Sequence, residues 1–578
     1  MTETLMVEVG ITARALPDRS LGGDVDGIPA LLQRIYLSRG ITRADNLRRN
    51  LDALITPDEL PDLSKASSRL ADAIQAGQHI LIVGDFDADG ATSVALAVSL
   101  LEAFGAEKVS FLVPNRFEFG YGLSEEIVTL ALARQPDVIV TVDNGVSSVA
   151  GVRLATEQGV DVIVTDHHLP GSELPDAHSI VNPNMGDSRF SSKAMAGVGV
   201  IYYVMGGTRA VLRDRDWFAE RPMPNLADWL DLVAVGTVAD VVAMDQNNRV
   251  LVAQGLARIR AGRCRPGIRA LCTVAKRQFS RLTAQDLGYA IGPRLNAAGR
   301  LDDMAIGIRC LLAESDSEAM EFARALDELN TARRVLEQEM VSDAELIVAT
   351  QSLDAGERYG VCVYDPSWHQ GVIGIVAGRL REKVHRPVIA FADAGGLAPD
   401  ELKGSARSLP ELHVRDVLDA IATRYPGMLM RFGGHAMAAG LSIKRVHLER
   451  FERAFNDTVR QRLPESALSP VLLTDGGLQS REMNLETARM LTEAGPWGQA
   501  FPEPQFHDEF DLVSQRVVGE HHLKLVLGKH HRLFDAIAFR QAPLTDIERV
   551  VAVYRLQEND YRDAVTLQLV VEHLAALT

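Results

Sequence analysis

Four short runs of apolar and mostly β-branched residues dominate the sequence between positions 79 and 165. They are HILIVG (79–84), VSFLVP (109–114), DVIVTV (137–142) and VDVIVT (160–165). Such nearly continuous apolar character is typical of strands that are covered on both faces, as in a parallel sheet. The segments between the runs are long enough for crossover helices. We therefore predict an α/β fold with a doubly wound parallel sheet, in which ligands bind at the carboxyl ends of the strands.

Acidic and imidazole side chains follow these runs directly. The residues are Asp85, Asp87 and Asp89 after the first run, Asp143 after the third, Asp166, His167 and His168 after the fourth, and Asp240 inside the apolar stretch 232–244, where we expect a further strand end. A single acid at a strand end is more often a helix cap or a solvated turn residue than a ligand. Several carboxylates that one sheet brings together, however, cannot all stay ionised without a cation.

The ligand types favour Mn²⁺ or Mg²⁺ over zinc, because the set contains carboxylates and imidazoles but no thiolate. The acids are numerous enough to hold two ions that share a bridging carboxylate, and we predict that Asp143 on the middle strand is the bridge. Two such ions about 3.5–4 Å apart promote in-line displacement at phosphorus. The residues alone thus predict hydrolysis of a phosphoester or a phosphoanhydride.

Length and composition indicate a globular protein of several domains. A chain of 578 residues exceeds what one hydrophobic core supports, so about two to four domains are expected. No apolar run reaches the ~18–20 residues of a membrane span, and the first residues lack the features of a signal peptide. We expect a cytoplasmic protein with no membrane partner. The four cysteines have neither metal-binding nor disulfide spacing and are predicted to be reduced and mostly buried.

The net charge of −17 argues only weakly against a nucleic-acid partner, because the local field of a groove matters more than the sum. One stretch, residues 257–282, carries eight Lys and Arg residues and no acid. One interpretation is a solvated helical face whose counter-charges lie elsewhere in the fold. The other is a surface that follows the phosphates of a nucleic acid.

The rest of the sequence contains three further segments with distinct patterns. Residues 316–350 lack Gly and Pro and have helical apolar spacing, which predicts one long helix or two abutting helices. A second α/β unit begins near residue 359 and ends near 450. From about 470, segments such as HHLKLVLGKHHRLFDAIAF (521–539) indicate strands around a glycine-bearing turn, and so a small β-barrel or sandwich.

Eight motifs in order give the sequence a family resemblance. They are DFDADG (85–90), VDNG (142–145), VTDHH (164–168), VGTVADVV (235–242), GPRLNAAGRL (292–301), HQGVIGIVAGRL (369–380), KGSARS (403–408) and GGHAMAAG (433–440). The sequence resembles the DHH phosphoesterases, and the bacterial RecJ single-strand-specific exonucleases in particular. The resemblance implies an N-terminal helical extension (1–50), a DHH catalytic domain (51–315), a connecting helix (316–352), a smaller α/β DHH-associated domain (353–462) and an OB-like β-barrel (463–578).

The resemblance implies a 5′→3′ exonuclease that hydrolyses single-stranded DNA with Mn²⁺ or Mg²⁺, two ions per active site. The implied metal ligands are Asp85, Asp87, Asp89, Asp143, His167 and Asp240. Many smaller DHH enzymes have a ligating His at the position of Val83, and Asp85 is expected to compensate for its absence here. His168 is expected to be a further catalytic residue that contacts phosphate or supports a ligand rather than binding metal.

Single-strand binding requires cations for the backbone and flat faces for the bases. The expected DNA-binding residues are Arg116, Tyr121, Arg294, Asn296, Arg300, His369, Lys403, Ser405, Arg407, Ser408 and His435. For Arg294 and Arg300 the alternative is pairing with Asp302 or Asp303, and for aromatic residues near 117–121 it is core packing. In the C-terminal module the candidates are Lys524, Lys529, Arg532 and Trp497.

By resemblance, the expected partners are single-stranded DNA, single-strand-binding protein and a RecQ-type helicase, and the expected role is in DNA repair and recombination. We expect a monomer, because the sequence has no obvious dimerisation segment. Two alternatives remain. One is a DHH-family phosphodiesterase for short oligonucleotides or a pyrophosphatase, although such chains are generally shorter and lack the β module. The other is a DNA-binding scaffold without catalysis, which would be expected to have lost some of the acids.

Overall fold

The computed structural model describes residues 9–114, 122–350, 358–395, 398–519, 522–561 and 564–577. The chain divides into two compact units. The larger comprises residues 13–329 and 474–578, and the smaller comprises residues 1–12 and 330–473. Among the described helices, none combines the length and the apolar character that crossing a membrane would require.

The larger unit begins with a short N-terminal segment and then forms the predicted parallel sheet. Strand β1 (Gly10–Ala13) precedes the sheet, falls almost entirely in the smaller unit and pairs with β12 (Val471–Thr474) of that unit. The first elements of the larger unit are α1 (Ala30–Leu37), α2 (Leu63–Gln75), β2 (His79–Val83), α3 (Ala88–Phe104), β3 (Lys108–Leu112), α4 (Glu125–Leu132), β4 (Val138–Val142), α5 (Val149–Glu157), β5 (Asp161–Thr165) and β6 (Ser179–Val181). Strands β3-β2-β4-β5-β6 form one sheet in that order, and every pairing is parallel. The α/β prediction is confirmed, and β4 is the middle strand as predicted.

Both faces of this sheet are covered, which explains the continuous apolar runs. Alternate strand residues such as Ile82 and Val140 pack with α3 and the later helix α6 (Gly197–Asp214). Their neighbours such as Leu81 and Ile139 pack on the opposite side with α4 and α5. The carboxyl ends of the central strands are therefore brought together at one edge of a rigid layer.

A series of helices follows the sheet along the chain. They are α7 (Leu230–Ala239), α8 (Gln246–Arg260), α9 (Pro266–Val274), the single turn α10 (Ala284–Asp286), α11 (Gly292–Leu301), α12 (Ala305–Leu312) and α13 (Asp316–Thr350). A π-helical turn, Leu287–Ile291, leads directly into α11. The structure corrects one expectation, since Asp240 ends a buried helix, α7, rather than a strand. Residues 316–350 form one helix, as predicted.

The smaller unit contains the second α/β fold. Its elements after α13 are β7 (Val361–Tyr364), α14 (Ile373–Val384), β8 (Val388–Asp393), β9 (Glu401–Arg407), α15 (Val414–Arg424), β10 (Leu429–Gly434), β11 (Ala438–Lys444), α16 (Leu448–Arg462) and β12 (Val471–Thr474). The sheet order is β10-β11-β9-β8-β7, in which only β7 and β8 are parallel. Its core includes Phe391, Phe451 and Phe455.

The C-terminal residues form a closed barrel preceded by a helix. The elements are α17 (Leu485–Ala494), β13 (Phe506–Val518), β14 (His522–Lys529), β15 (Arg532–Phe539), β16 (Arg549–Tyr561) and β17 (Ala564–Ala576), with barrel order β13-β14-β15-β17-β16. The predicted β-barrel is confirmed. The hairpin turn is not made by glycine, because His530 (φ 49°) and His531 (φ 62°) occupy the two left-handed positions of the two-residue loop.

The barrel and the parallel-sheet part of the larger unit share one hydrophobic core. The Trp497 and Phe501 rings stack with centroids 4.9 Å apart, and Tyr36 of α1 stacks on both. Arg39 forms an ion pair with Asp475, and both side chains are almost fully buried. The N-terminal segment is thus secured to the C-terminal module by aromatic packing and a buried ion pair.

Candidate metal centre and nucleic-acid contacts

The loop between β2 and α3 carries the three acids at alternate positions. Asp87 caps α3, and its Oδ1 accepts the backbone N–H groups of Asp89 (2.9 Å) and Gly90 (3.0 Å). Asp85 is buried and its Oδ1 accepts the N–H of Phe86 at 2.7 Å. A Cβ on Gly90 would lie 2.5 Å from the carbonyl oxygen of Asp85, so only glycine allows this tight turn.

Asp89 is held by a helix that is distant in sequence. Its two carboxylate oxygens accept the N–H groups of Gly197 (2.6 Å) and Val198 (3.0 Å), at the N-terminus of α6. The unpaired amides and the dipole at a helix N-terminus favour a negative charge. Alanine at position 89 would leave these two buried amides without acceptors, which would cost stability as well as a ligand.

Asp143, His167 and Asp240 meet at the carboxyl edge of the sheet. The Nε2 atom of His167 lies 3.0 Å from Oδ1 of Asp143 and 3.5 Å from Oδ2 of Asp240. Asp143 follows β4 with a φ of 62°, a left-handed conformation that a non-glycine residue seldom adopts. Such backbone strain is found where surrounding structure fixes a side chain for a functional purpose.

Asp166 and His168 lie beside Asp143, His167 and Asp240 and fix the segment that carries His167. Oδ1 of Asp166 accepts the backbone N–H groups of His167 (2.7 Å) and His168 (3.1 Å) and lies 2.7 Å from Nδ1 of His168. Its Oδ2 accepts the N–H of Val146 at 2.9 Å. Burial alone would raise the pKa of Asp166, but the hydrogen bond with His168 and its charge lower it. Asp166 therefore remains an anion that orients both histidines, a role that the sequence did not reveal.

The pKa values of three other carboxyl groups shift upward, opposite to the net shift of Asp166. Burial raises the pKa of Asp89 to about 7, and repulsion by Asp87 contributes to the shift. Burial also raises the pKa values of Asp143 and Asp240, and the charges of Asp89 and Asp87 add to it in both. Holding all of these groups ionised is therefore costly unless a cation lies among them.

The donor set fits hard divalent cations. Among the residues that the structure describes, three groups of side chains could each place ligand atoms within 4.8 Å of one another, namely Asp85, Asp87 and Asp143; Asp89, His167 and Asp240; and Asp143, His167 and His168. All six side chains expected to bind metal are among them, including Asp85. Carboxylate oxygens with imidazole nitrogen and no thiolate suit Mn²⁺ or Mg²⁺.

Glycines allow the supporting helices to approach this closely. A Cβ on Gly197 would lie 2.6 Å from Cβ and 2.7 Å from Oδ1 of Asp143. We expect Gly197→Ala to displace the Asp143 carboxylate and to lower phosphodiester hydrolysis about 100-fold, since small misplacements at reacting groups have such effects. The matched control is Gly378→Ala in α14, where nothing lies within 4 Å of the added Cβ. Equal hydrolysis by both variants, in a mononucleotide-release assay, would contradict the assigned packing.

Two of the expected DNA-binding residues, Arg116 and Tyr121, lie outside the described residues. Arg294 pairs with neither Asp302 nor Asp303, because its guanidinium is 2.8 Å from Asp327 and donates to the carbonyl of Ala290. Oδ1 of Asn296 accepts the N–H of Ala88 at 2.8 Å, so this side chain supports the acidic loop. Arg300 is half-buried in the last turn of α11. DNA contact by these residues stays a prediction.

Ion pairs neutralise much of the basic stretch 257–282. The pairs are Arg265–Asp231, Arg269–Asp316, Arg277–Asp286 and Arg281–Asp560. In addition, the guanidinium of Arg260 donates to the carbonyl of Leu282 at 2.7 Å. These contacts favour the interpretation in which the counter-charges lie elsewhere in the fold, over the interpretation of a phosphate-binding surface.

In the smaller unit, strand β9 presents Lys403, Ser405 and Arg407 on one face. Arg407 donates to Ser405 Oγ at 3.0 Å, and burial lowers the pKa of its guanidinium. Lys403 contacts Glu401 at 2.6 Å. Ser405 lies opposite Gly440, which lies opposite Gly433, and open space adjoins both glycines. This face therefore exposes bare backbone beside a hydroxyl and a guanidinium.

The other three expected residues of this unit have structural contacts. Ser408 is fully buried, and its hydroxyl donates to the carbonyl of Leu412 at 2.7 Å, so in this structure it is not presented to a ligand. Nδ1 of His369 accepts the N–H of Gly371 at 3.1 Å. The backbone N–H of His435 donates to Ala438 at the turn between β10 and β11.

The C-terminal candidates are largely engaged in the fold. Trp497 is 8% exposed and packs in the core, so it does not offer a face for base stacking. Lys529 is ion-paired with Asp508, and both side chains are mostly buried. Arg532 donates to the carbonyl of Met483. Lys524 lies 3.9 Å from Asp535 and is partly buried, so Arg532 is the most exposed of the four.

Three family models match the chain in order. They are the DHH family N-terminal domain over residues 79–237, the DHHA1 domain over residues 356–463 and the RecJ OB domain over residues 474–573. The first contains the acids of the β2–α3 loop together with Asp143 and His167. The third covers the closed barrel.

Relatives with the name single-stranded-DNA-specific exonuclease RecJ align along nearly the whole chain. The protein of Dickeya dadantii is 50% identical over 561 residues, 95% of this chain and 96% of the relative. The protein of Escherichia coli is 49% identical over 558 residues, with the same coverage of both chains.

Solved structures show the same architecture. The crystal structure of RecJ from Thermus thermophilus in complex with Mn²⁺ has a TM-score of 0.79 and 29% identity, covering 97% of this chain and 79% of that one. The same protein has also been solved with Mg²⁺, with a TM-score of 0.72 and 26% identity. The architecture, the matching domain models and the relatives that share about half of their residues with this chain agree. The chain belongs to the RecJ family of single-stranded-DNA-specific exonucleases.

Proposed function

We propose that the protein is a 5′→3′ exonuclease that degrades single-stranded DNA to mononucleotides with two divalent cations. The observation that carries this proposal is the convergence of Asp85, Asp87, Asp89, Asp143, His167 and Asp240 into metal-binding groups. The identity of 49–50% to RecJ exonucleases supports single-stranded DNA as the substrate.

The protein's side chains would hold the metal ions and orient them for the reaction. Asp87 and Asp89 project from the start of α3, Asp143 and His167 from strands β4 and β5, and Asp240 from the end of α7. Asp143 and His167 each belong to two of the three potential metal-binding groups among the described residues, and of the two only the carboxylate of Asp143 has two oxygens with which to bridge two ions, which supports it as the bridging ligand. Bound Mn²⁺ or Mg²⁺ would activate water for attack on phosphorus and offset the charge of the leaving oxygen.

Two further features are proposed to assist the reaction. His168, whose ring is fixed by Asp166, is proposed to contact the phosphate of the substrate. The β9 face with Ser405 and Arg407 is proposed to bind DNA, as are Lys403, Arg294, Asn296, Arg300, His369, His435, Arg116 and Tyr121. We further propose a monomeric cytoplasmic enzyme of DNA repair and recombination that acts with single-strand-binding protein and a RecQ-type helicase.

End-labelled strands test this proposal. A single strand labelled at its 5′ end should release the label first, as a mononucleotide, in Mn²⁺ or Mg²⁺ and not after chelation. Duplex DNA and RNA of the same sequence, assayed in parallel, should be degraded much more slowly. A ladder of internal fragments would indicate an endonuclease, early loss of a 3′ label would reverse the polarity, and cleavage of only very short oligonucleotides would favour the phosphodiesterase alternative.

A further inference from the structure

The π-helical turn Leu287–Ile291 packs against the end of α7. A Cβ on Gly288 would lie 3.3 Å from Cγ1 of Val238, and one on Gly292 would lie 3.0 Å from Cβ of Ala239. Val238 and Ala239 immediately precede Asp240, so the turn is in contact with the segment that delivers this acid. Single π-helical turns within α-helical segments occur frequently at functional sites.

The helix that follows reaches the acidic loop. Asn296 of α11 accepts the N–H of Ala88 at 2.8 Å, and a Cβ on Gly299 would lie 1.8 Å from the carbonyl oxygen of Phe86. The segment from Gly288 to Gly299 therefore extends from the Asp240 side of the metal centre to the Asp85–Asp89 side. It forms one wall beside the proposed site of hydrolysis.

Tyr289 lies on this wall, and its side chain is 79% exposed. The core tyrosines Tyr36, Tyr203 and Tyr554 are between 0% and 6% exposed, so Tyr289 is not used for packing. It immediately follows Gly288, and a Cβ on Gly288 would lie 3.3 Å from Val238, two residues before Asp240. The ring is thus an exposed aromatic face on the turn that packs against the Asp240 end of α7.

We infer that Tyr289 stacks on a nucleobase of the single strand whose phosphate lies at the metal centre. The inference rests on the proposed function and deepens it. A base can offer its flat face to an aromatic ring only when it is unstacked from its neighbours, which a single strand permits and a duplex does not. Tyr289 is thereby assigned a role in selecting single strands, separate from the acids that perform hydrolysis.

Binding measurements test the inference without hydrolysis. In an Asp240→Asn background, Tyr289→Ala should bind a single strand roughly 5- to 150-fold more weakly, the range for loss of one base–aromatic stack. Tyr289→Phe and Tyr289→Trp should bind like the parent. The matched control, Phe279→Ala, removes another exposed aromatic ring, 40% exposed, on a neighbouring turn and should leave binding unchanged.

An abasic strand of equal length separates stacking from a general structural effect. It carries the same phosphates but no bases, so Tyr289→Ala should bind it as well as the parent does. Weakening of both strands by the same factor would overturn the inference, as would unchanged binding of the normal strand. If the unsubstituted protein fails to hydrolyse single strands, the proposed function fails, whereas the difference between normal and abasic strands still decides the role of Tyr289.

Discussion

Asp240→Asn should reduce the hydrolysis of single-stranded DNA at least about 100-fold while the protein remains folded, since loss of even a residue that supports a metal ligand typically costs 10–100-fold. The contact of the Asp240 carboxylate is with His167, at 3.5 Å, whereas Asp89 also accepts two buried amides. Asparagine at 240 therefore removes a charge and a ligand without disturbing backbone hydrogen bonds. Release of mononucleotides in Mn²⁺ measures the effect.

Thermal unfolding distinguishes loss of the metal from loss of the fold. Without metal, the midpoint of Asp240→Asn should equal or exceed that of the parent, because repulsion among buried carboxylates decreases. Added Mn²⁺ should raise the midpoint of the parent and raise that of the variant much less, because a ligand stabilises the state that binds it. The exposed Asp176→Asn serves as the control and should behave like the parent in both assays. Near-normal hydrolysis by Asp240→Asn would refute its assignment as a ligand.

Arg39→Ala should lower the free energy of unfolding of the larger unit by about 3–5 kcal/mol, the cost of leaving one partner of a buried ion pair alone. The guanidinium binds both oxygens of Asp475, at 2.6 and 3.0 Å, and the two side chains are 1% and 2% exposed. Arg39 also lies over the Trp497 ring. Denaturant unfolding followed by Trp fluorescence measures the loss.

The control for this change is Arg43→Ala. Arg43 forms an ion pair of the same 2.6 Å length with Asp45, but the two side chains are 63% and 61% exposed. Exposed pairs contribute at most about 1 kcal/mol, so little change is expected. Arg39→Lys should restore only part of the stability, because an ammonium cannot bind both carboxylate oxygens in the planar geometry. Similar losses for Arg39→Ala and Arg43→Ala would show that the N-terminal segment is not secured by this pair.

The sheet and its acids were predictable because their signals are local. A strand covered on both faces requires a continuous apolar run, and the parallel order places the following residues at one edge. Asp85, Asp87, Asp89, Asp143 and His167 could all be placed at this edge on this basis. Asp240 was expected in the same cluster, and its side chain does lie near Asp89 and His167, but it was placed on the wrong element, since a buried helix and a buried strand have the same apolar character over such a length.

The sequence did not predict which distant residues form hydrogen bonds and ion pairs with the site and the basic stretch. The amides of Gly197 and Val198 reach Asp89 across more than 100 residues, and no local pattern marks them. In the sequence, Arg265 and Arg281 belong to a basic stretch, but in the structure each forms an ion pair with an acid outside that stretch. Trp497 shows the same limitation, because a large aromatic residue is equally suited to a core and to a binding face.

The buried pair between Arg39 and Asp475 also has a consequence for synthesis. The two residues are 436 positions apart, so at about 5–20 residues per second a ribosome needs roughly 20 to 90 s to make the second after the first. During that interval α1 lacks the aromatic and acidic partners that later cover it. The earliest part of the larger unit to be synthesised is therefore among the last to become secured, and it is where a nascent chain would most need protection.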